Sequence, residues 1–303
     1  MKSPAFEYHR ARSAEEAREL LARYGGEAKV LAGGQSLVPM LHMRLVRPVA
    51  LVDIHRAADL DFIEFTPEGE SVRIGAAVRH ADLLRHPVLG ARLPVLREAV
   101  AHVAHPAIRN RGTAVGSVCH ADPAAEMPAV LALLDGEVEV LGAAGLYTVP
   151  ADAFFLTYFT TVLPPEDVAV ALRLPLPAPG TGQAFMEVAR REGDFALVGA
   201  AACLRLDADG RVAEARLAFC GVGDTPVRAR EVEAQLAGTV PSAAAWREAG
   251  AAAAAHLEPE SDAHASAAYR REVAAYLAAR VLEAAHRRAE GAFGADGRGG
   301  AAG

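Results

Sequence analysis

The sequence predicts an α+β protein of two domains followed by a short tail, and three observations lead to this prediction. Residues 1–55 alternate between helix and strand patterns, and period-two hairpins follow between residues 62 and 149. A cluster of proline and glycine at 175–182 then precedes three further alternating segments and a helical end. With 303 residues, the chain is long enough for two separate hydrophobic cores.

The first domain is predicted to cover residues 1–177, in subdomains of about 1–55 and 56–177. Residues 13–16, Ser-Ala-Glu-Glu, form a capping box that begins a helix, and the glycine pair at 25–26 ends it. The elements predicted after it in this subdomain are a strand at 28–31, a helix at 37–45 and a strand at 49–54.

The second subdomain is predicted to contain two hairpins, three helices and a closing strand. The hairpins are placed at 62–78 and 137–149, the helices at 81–84, 93–103 and 126–134, and the strand at 168–174. Residues 104–122 have no clear periodicity and are rich in glycine, asparagine, proline and histidine, so they predict a long functional loop.

The second domain is predicted to cover residues 183–288 as a three-stranded antiparallel sheet backed by helices. Its strands are placed at 184–190, 196–206 and 212–221, and its helices at 228–236, 243–256 and 265–287. Residues 289–303 are rich in glycine and alanine, and we expect a disordered tail there.

The bulk properties argue against several classes of function. The net charge is −7 and no basic stripe with interleaved aromatic residues occurs, so a nucleic-acid partner is not expected. No apolar run is long enough to insert into a membrane and the start lacks a signal-peptide pattern, so a cytoplasmic protein is expected. Cys119, Cys203 and Cys220 lack the spacing of zinc or iron–sulfur ligands, so no metal site is predicted on this chain.

Two glycine-bearing loops carry the main functional signal. Residues 30–37 contain Gly33 and Gly34, whose missing Cβ atoms would let a phosphate reach the backbone amides, and Ser36 adds a hydroxyl. Residues 109–123 offer Thr113, Gly116 and Ser117 in the same way. Either loop alone also fits an ordinary connection between elements. Together they predict a large diphosphate cofactor held from both sides.

The other polar residues of this region are less informative. His102, His105 and His120 surround the second loop, but no carboxylate or thiol lies at metal-ligand spacing, and ordinary loop histidines explain them as well. Glu126 is placed at a helix start, where it could bond a ribose hydroxyl or simply favour the helix N-terminus. The Gly-x-Ser-x-Gly pattern of serine hydrolases is absent from the sequence.

The chain resembles the FAD-binding medium subunit of the molybdenum hydroxylases, the family of aerobic carbon monoxide dehydrogenase and xanthine dehydrogenase, from about residue 5 to 287. The segments that carry the resemblance are 32–36 (Ala-Gly-Gly-Gln-Ser), 108–117 with 120–126, and 185–195. This resemblance implies a para-cresol methylhydroxylase-type FAD-binding domain in two subdomains, followed by a smaller C-terminal α+β domain.

The resemblance also implies which residues hold FAD. The two loops would wrap the diphosphate, Glu126 would make a polar contact to the ribose or nearby, Val103 with Val168 or Ala169 would lie along the isoalloxazine or adenine, and Phe195 would lie near the flavin ring. The implied cofactor-binding residues are Lys29, Val30, Leu31, Ala32, Gly33, Gly34, Gln35, Ser36, Leu37, Val103, Ile108, Thr113, Ala114, Gly116, Ser117, Asp122, Glu126, Val168, Ala169 and Phe195. No catalytic side chain and no metal ligand is implied.

Val115 departs from the family pattern, which usually has a glycine at this position. Its side chain would either crowd a phosphate and weaken FAD binding or point away while the amide still donates. The sequence leaves both open.

The function implied by the resemblance is electron transfer. The chain would carry FAD, take electrons from [2Fe–2S] clusters on a small partner subunit and pass them to an external acceptor, while a large subunit holds the molybdenum cofactor. A dimer of heterotrimers is expected. The alternatives are a stand-alone FAD-dependent oxidase of the same fold and a non-catalytic scaffold or maturation protein. The sequence indicates neither the substrate nor the acceptor.

Overall fold

A computed structural model describes residues 2–296 of the chain. Its strands are β1 (Glu7–Arg10), β2 (Ala28–Leu31), β3 (Ala50–Asp53), β4 (Ile63–Phe65), β5 (Ser71–Gly75), β6 (Glu137–Gly142), β7 (Gly145–Pro150), β8 (Phe155–Thr157), β9 (Thr160–Thr161), β10 (Val168–Pro175), β11 (Gly182–Ala189), β12 (Ala196–Leu206), β13 (Val212–Cys220) and β14 (Val227–Arg228). Its α-helices are α1 (Ala14–Arg23), α2 (Leu37–His42), α3 (His80–Arg85), α4 (Pro87–Arg92), α5 (Pro94–His102), α6 (Pro106–Arg109), α7 (Ala114–His120), α8 (Glu126–Leu133), α9 (Ala151–Phe154), α10 (Arg230–Leu236), α11 (Ala243–Ala255) and α12 (Ala267–Asp296).

The chain divides into two compact units, and each unit is built from separate stretches of sequence. Among the described residues, the first unit comprises 2–85, 105–122 and 135–175, and the second comprises 86–104, 123–134 and 176–296. Helices α4, α5 and α8 are therefore part of the same compact unit as the C-terminal elements, although they precede the proline and glycine cluster in sequence.

A small parallel sheet in the order β1-β3-β2 opens the first unit. The predicted capping box begins α1, since the Ser13 hydroxyl accepts a hydrogen bond from the Glu16 amide at 3.1 Å. The Glu16 carboxylate in turn accepts from the amide of Arg12, one residue earlier than in the ideal motif. Leu31 pairs with Asp53, so the carboxyl ends of β2 and β3 meet at one edge of the sheet.

A five-stranded antiparallel sheet in the order β4-β5-β10-β6-β7 completes the first unit, and it includes both predicted hairpins. The β5 residue Arg73 donates to Glu139 on β6 and to Glu64 on β4, which ties three strands together on one face. Helix α7 packs on this sheet through contacts with β10 and β5, whose residues are mostly buried.

The prediction of a long loop at 104–122 is wrong. The structure has two short helices there, α6 and α7. With four and seven residues, they are too short to show the apolar periodicity on which the prediction relied. Their start signals are nevertheless in the sequence, because Pro106 occupies the first position of α6 and Thr113 caps α7.

The second unit contains the antiparallel sheet β11-β12-β13-β14. The sequence predicts three strands here; the structure adds a fourth of only two residues, β14, which is too short to be recognised from periodicity. Residues 196–204 of β12 are all buried, which means that both faces of this strand are covered. Helices α11 and α12 pack on one face, while α8 contacts β12 and β13.

Helix α12 runs from Ala267 to Asp296. The predicted disordered tail of 289–303 is therefore wrong for residues 289–296, because the helix continues through the alanine and glycine residues; alanine is the strongest helix former. Residues 297–303 lie outside the described residues. Across the part of the chain that the structure describes, no helix is both long enough and apolar enough to cross a bilayer.

Candidate functional site

The first glycine loop follows β2 directly and ends where α2 begins. Gly34 has a φ of +73°, a left-handed conformation that glycine adopts without a steric cost. The Gln35 side chain donates to the Gly33 carbonyl at 3.0 Å and so closes the turn on itself. Ser36 precedes α2, and its hydroxyl makes no capping bond to the helix.

The backbone amides of this loop are hydrogen-bond donors without an acceptor among the described residues. None of the five consecutive N–H groups from Gly33 to Leu37 donates to an acceptor within the described residues. All five residues are half-buried, whereas the neighbouring strand β3 is buried along its whole length. Successive free amides in a glycine turn form a concave site for an anion, so the loop fits the diphosphate of a dinucleotide cofactor.

The second loop is organised around the start of α7. The Thr113 hydroxyl accepts from the Gly116 amide at 3.0 Å, and the Thr113 carbonyl accepts from the Ser117 amide at 3.0 Å. The amides of Gly116 and Ser117 are therefore used within the helix cap, unlike the amides of the first loop. The half-buried side chain of Ser117 is the polar group of this helix start that remains partly accessible.

The two loops meet directly within the first unit. A Cβ atom on Gly33 would lie 2.6 Å from the Cα of Gly112 and still closer to the carbonyl oxygen of Arg111. A Cβ on Gly116 would lie 3.8 Å from the Cβ of Ala32. The two loops that the sequence predicts to share one diphosphate thus lie in direct contact, and Gly33 is the residue that lets the two backbones touch.

Most of the remaining predicted residues of the first unit flank these loops. Lys29 is exposed and Val30, Leu31 and Ile108 are half-buried, whereas Ala114 is fully buried. Val168 and Ala169 lie in β10 with 1% and 7% of their surface exposed, so the structure leaves little of either for a ring to contact.

Three predicted residues, Val103, Glu126 and Phe195, belong to the second unit. Phe195 lies in the turn between β11 and β12 and is 67% exposed, an unusual degree of exposure for a phenylalanine. Val103 is the half-buried cap residue at the end of α5. Glu126 is buried as the first residue of α8.

Glu126 is one of several carboxylates around His102. The His102 ring lies 3.3 Å from the buried carboxylate of Glu187 and packs against the Phe185 ring at 5.6 Å between centroids. The bond to Glu187 raises the pKa of His102, and Glu126 and Glu98 add to the effect. Of the three histidines noted in the sequence, His102 is the one whose charge this cluster favours.

Val115 does not crowd the loop surface. Its side chain is 2% exposed, buried in the core beneath α7, while Gly116 and Ser117 next to it are half-buried. The second of the two possibilities raised by the sequence is therefore the one that the structure supports.

We expect Val115→Gly to leave the dissociation constant for FAD unchanged or to weaken it. The substitution removes a buried valine and places a glycine within a helix, which costs about 2 kcal/mol or more in the free energy of unfolding. Flavin fluorescence titration and urea denaturation of the same preparation measure both quantities. Tighter FAD binding in the variant would show that the valine does obstruct the site.

Sequence reasoning did not select Arg79 and His80, which contact the second loop from the start of α3. Arg79 forms an isolated β-bridge with Thr113, and the His80 amide donates to the Gly112 carbonyl at 2.9 Å. A contact between residues more than thirty positions apart leaves no local signal in the sequence.

Comparison with known proteins decides the family. Residues 4–177 match the FAD-binding domain in molybdopterin dehydrogenase, and residues 183–285 match the C-terminal domain of carbon monoxide dehydrogenase flavoproteins. The chain belongs to this flavoprotein family. The two matches together span nearly all of the residues from which the resemblance was inferred, so the inferred family and its two-part fold are confirmed.

Individual relatives of this flavoprotein extend over nearly the whole chain. It is 41% identical to the 6-hydroxypseudooxynicotine dehydrogenase complex subunit alpha of Paenarthrobacter nicotinovorans, over 95% of this chain and 97% of the relative. It is 38% identical to the carbon monoxide dehydrogenase medium chain of Hydrogenophaga pseudoflava, over 94% and 98%. A solved structure of carbon monoxide dehydrogenase from that organism, lacking the Mo-pyranopterin moiety, matches with a TM-score of 0.91 at 40% identity, over 95% of this chain and 99% of that one.

Proposed function

We propose that this chain is the FAD-carrying electron-transfer subunit of a cytoplasmic molybdenum hydroxylase complex. In this role it takes electrons from [2Fe–2S] clusters on a partner subunit and passes them to an external acceptor. The observation that carries the proposal is the run of five backbone amides, Gly33 to Leu37, that have no acceptor among the described residues. This run lies in a loop that packs against the second loop, and the chain belongs to a FAD-binding family.

The residues of the two loops would hold the cofactor through its diphosphate. The amides from Gly33 to Leu37 would donate to phosphate oxygens, and the hydroxyls of Ser36 and Ser117 would add further donors. When bound, FAD supplies the redox chemistry, and the protein supplies position and electrostatic environment. No side chain of this chain is assigned an acid–base role.

We assign the residues of the second unit to contacts beyond the diphosphate. Val103 would lie against a ring of the cofactor, Glu126 would accept from a sugar hydroxyl, and Phe195 would lie near the isoalloxazine. The exposure of the Phe195 ring and the position of Glu126 at a helix start support these assignments. Val168 and Ala169, by contrast, would support the site only by packing in the core of the first unit, because both are buried.

The partners are proposed to be a large subunit with the molybdenum cofactor and a small subunit with the iron–sulfur clusters, assembled as a dimer of heterotrimers. Several relatives are named as medium chains or as subunits of dehydrogenase complexes. The β8–β9 hairpin also supports association, since residues 153–165 carry no charge and Leu156, Tyr158 and Phe159 are 57%, 40% and 56% exposed.

The experiment is to purify the chain and measure its flavin. The proposal predicts a yellow protein that contains about one FAD per chain, and that co-purifies with a molybdenum-containing and an iron–sulfur subunit when all three genes are expressed together. A chain without flavin, which binds none when FAD is added, would favour a scaffold role. A flavoprotein that oxidises a substrate by itself would favour a stand-alone oxidase.

A further inference from the structure

Arg79 lies at the junction of the two loops. Its Nη1 atom donates to the Arg111 carbonyl at 2.6 Å, and this is the same carbonyl against which Gly33 packs. Through its β-bridge, Arg79 also runs beside Thr113, which caps α7. The guanidinium group is thus adjacent to the first loop, with its open amides, and to the second loop.

Among the residues that the structure describes, no carboxylate neutralises Arg79 at close range. Within residues 2–296, the guanidinium takes part in no ion pair shorter than 4 Å, although the side chain is half-buried. Burial lowers its pKa, as does the neighbouring charge of Arg111. Desolvating an unpaired cation is unfavourable, so such a residue is expected where an anion will supply the missing charge.

The acidic groups that face Arg79 have other partners or lie at the surface. Asp53, at the end of β3, accepts from the Tyr8 hydroxyl at 2.5 Å and lies 2.8 Å from the His55 ring. Asp82 accepts from the backbone amide of Arg79 rather than from its side chain, and its other oxygen pairs with Arg85. Asp61 is exposed. These three carboxylates therefore raise the pKa of Arg79 only through long-range electrostatic attraction, without an ion pair to its guanidinium.

We propose that Arg79 is a binding residue for the cofactor diphosphate, as the counter-charge beside the amides of the first loop. This inference rests on the proposed FAD function. A guanidinium group presents several donors in one plane, which matches the oxygens of a diphosphate. Its bond to the Arg111 carbonyl holds the side chain at the loop junction before the cofactor arrives, so little conformational freedom is lost on binding.

The test compares Arg79→Gln, Arg79→Lys and the control Arg85→Gln in the full-length apoprotein. Arg85 ends α3 with its side chain 73% exposed, so the control removes a nearby arginine that does not touch either loop. We expect Arg79→Gln to weaken FAD binding roughly tenfold or more, as for a lost charge-assisted hydrogen bond. Arg79→Lys should recover part of this affinity, and Arg85→Gln should bind as the wild type does.

A second measurement separates a counter-charge from a structural role. The dissociation constant for FAD is measured over a range of salt concentrations, because screening weakens charge–charge attraction. The salt dependence should be smaller in Arg79→Gln than in the wild type, while the melting temperature of the apoprotein stays close to that of Arg79→Lys.

The outcomes keep the two proposals apart. If the wild type binds no FAD, the proposed function itself fails. If the wild type binds FAD and Arg79→Gln binds equally well, the function stands and the role of Arg79 is refuted. The role is also refuted if the glutamine variant loses affinity together with apoprotein stability but keeps the full salt dependence, since Arg79 would then act only by holding the Arg111 carbonyl.

Discussion

Gly33→Val should abolish tight FAD binding, and the cause should be separation of the two loops. A Cβ atom at this position would meet the Arg111 carbonyl and the Gly112 Cα at 2.6 Å, distances that real Cβ atoms essentially never show. The obstruction is backbone, so no side-chain rotation relieves it. Overpacking of this kind costs about 1–3 kcal/mol, and the loops must move apart to accommodate it. If the bound state bears this cost, binding weakens from about fivefold at the lower end of the range to more than about a hundredfold at the upper end.

The sequence alone gives a different reason for the same result, namely that valine would keep a phosphate away from the amides. Gly33→Ala separates the two explanations, because a single methyl group already collides with the second loop. We expect the alanine variant to lose most of its affinity in a flavin fluorescence titration. We also expect faster amide hydrogen exchange in the peptide covering residues 108–117 of the apoprotein, where a phosphate plays no part.

Gly25→Ala is the matched control. Gly25 also has a positive φ, +54°, but a Cβ there would meet nothing within 4 Å. The Gly25→Ala variant should lose about 1 kcal/mol of unfolding free energy, because alanine is unfavourable in the left-handed conformation, but its methyl group collides with nothing. Full FAD content in Gly33→Val, with unchanged hydrogen exchange in the second loop, would mean that the loops do not support one another and that the diphosphate lies elsewhere.

The loops could be predicted from sequence because their signals are local. A glycine pair after a buried strand and before a helix predicts a tight turn with free amides, and the structure has this turn at Gly33 and Gly34. The capping threonine of α7, Thr113, is an equally local signal, but the seven residues of this helix are too few for a periodic pattern, so the sequence predicts a loop there.

What could not be predicted depends on contacts between distant segments. The packing of Gly33 on Arg111 joins positions 78 residues apart, and the position of Arg79 depends on a bridge to Thr113. The burial of Val115 likewise follows from how α7 lies on the sheet, whereas the sequence left two orientations open. A valine that crowded the phosphate site would favour the scaffold alternative, in which the fold has lost its cofactor, and the burial of Val115 removes that argument.

Acid should destabilise the second loop through His80. Its side chain is 3% exposed at the start of α3, and neither ring nitrogen has a partner with hydrogen-bond geometry in the part of the chain that is described. Burial lowers the pKa of His80 from 6.5 to about 4. Below pH 6.5 the unfolded chain binds a proton that the native chain does not bind, so stability falls as the pH decreases from 6.5 towards 4.

The shift corresponds to about 3 kcal/mol of unfolding free energy lost across this window, at 1.36 kcal/mol for each pKa unit. His80→Gln should lack this component, because glutamine stays uncharged throughout. The control is His42→Gln, which replaces an exposed histidine at the end of α2 and should keep the acid sensitivity of the wild type. Urea denaturation of the three apoproteins between about pH 7 and about pH 4.5 measures the difference.

The same protonation should release FAD, because the His80 backbone amide bonds the Gly112 carbonyl and a Cβ on Gly112 would lie 3.5 Å from the ring nitrogen of His80. A cation forced into this site must either move towards water or push the second loop away from Gly33. The affinity for FAD should therefore fall more steeply with decreasing pH in the wild type and in His42→Gln than in His80→Gln. Parallel pH profiles for all three proteins would show that the acid response originates in other groups, such as the carboxylate of Asp53, whose pKa is low despite its burial because Tyr8 and His55 bond its charged form.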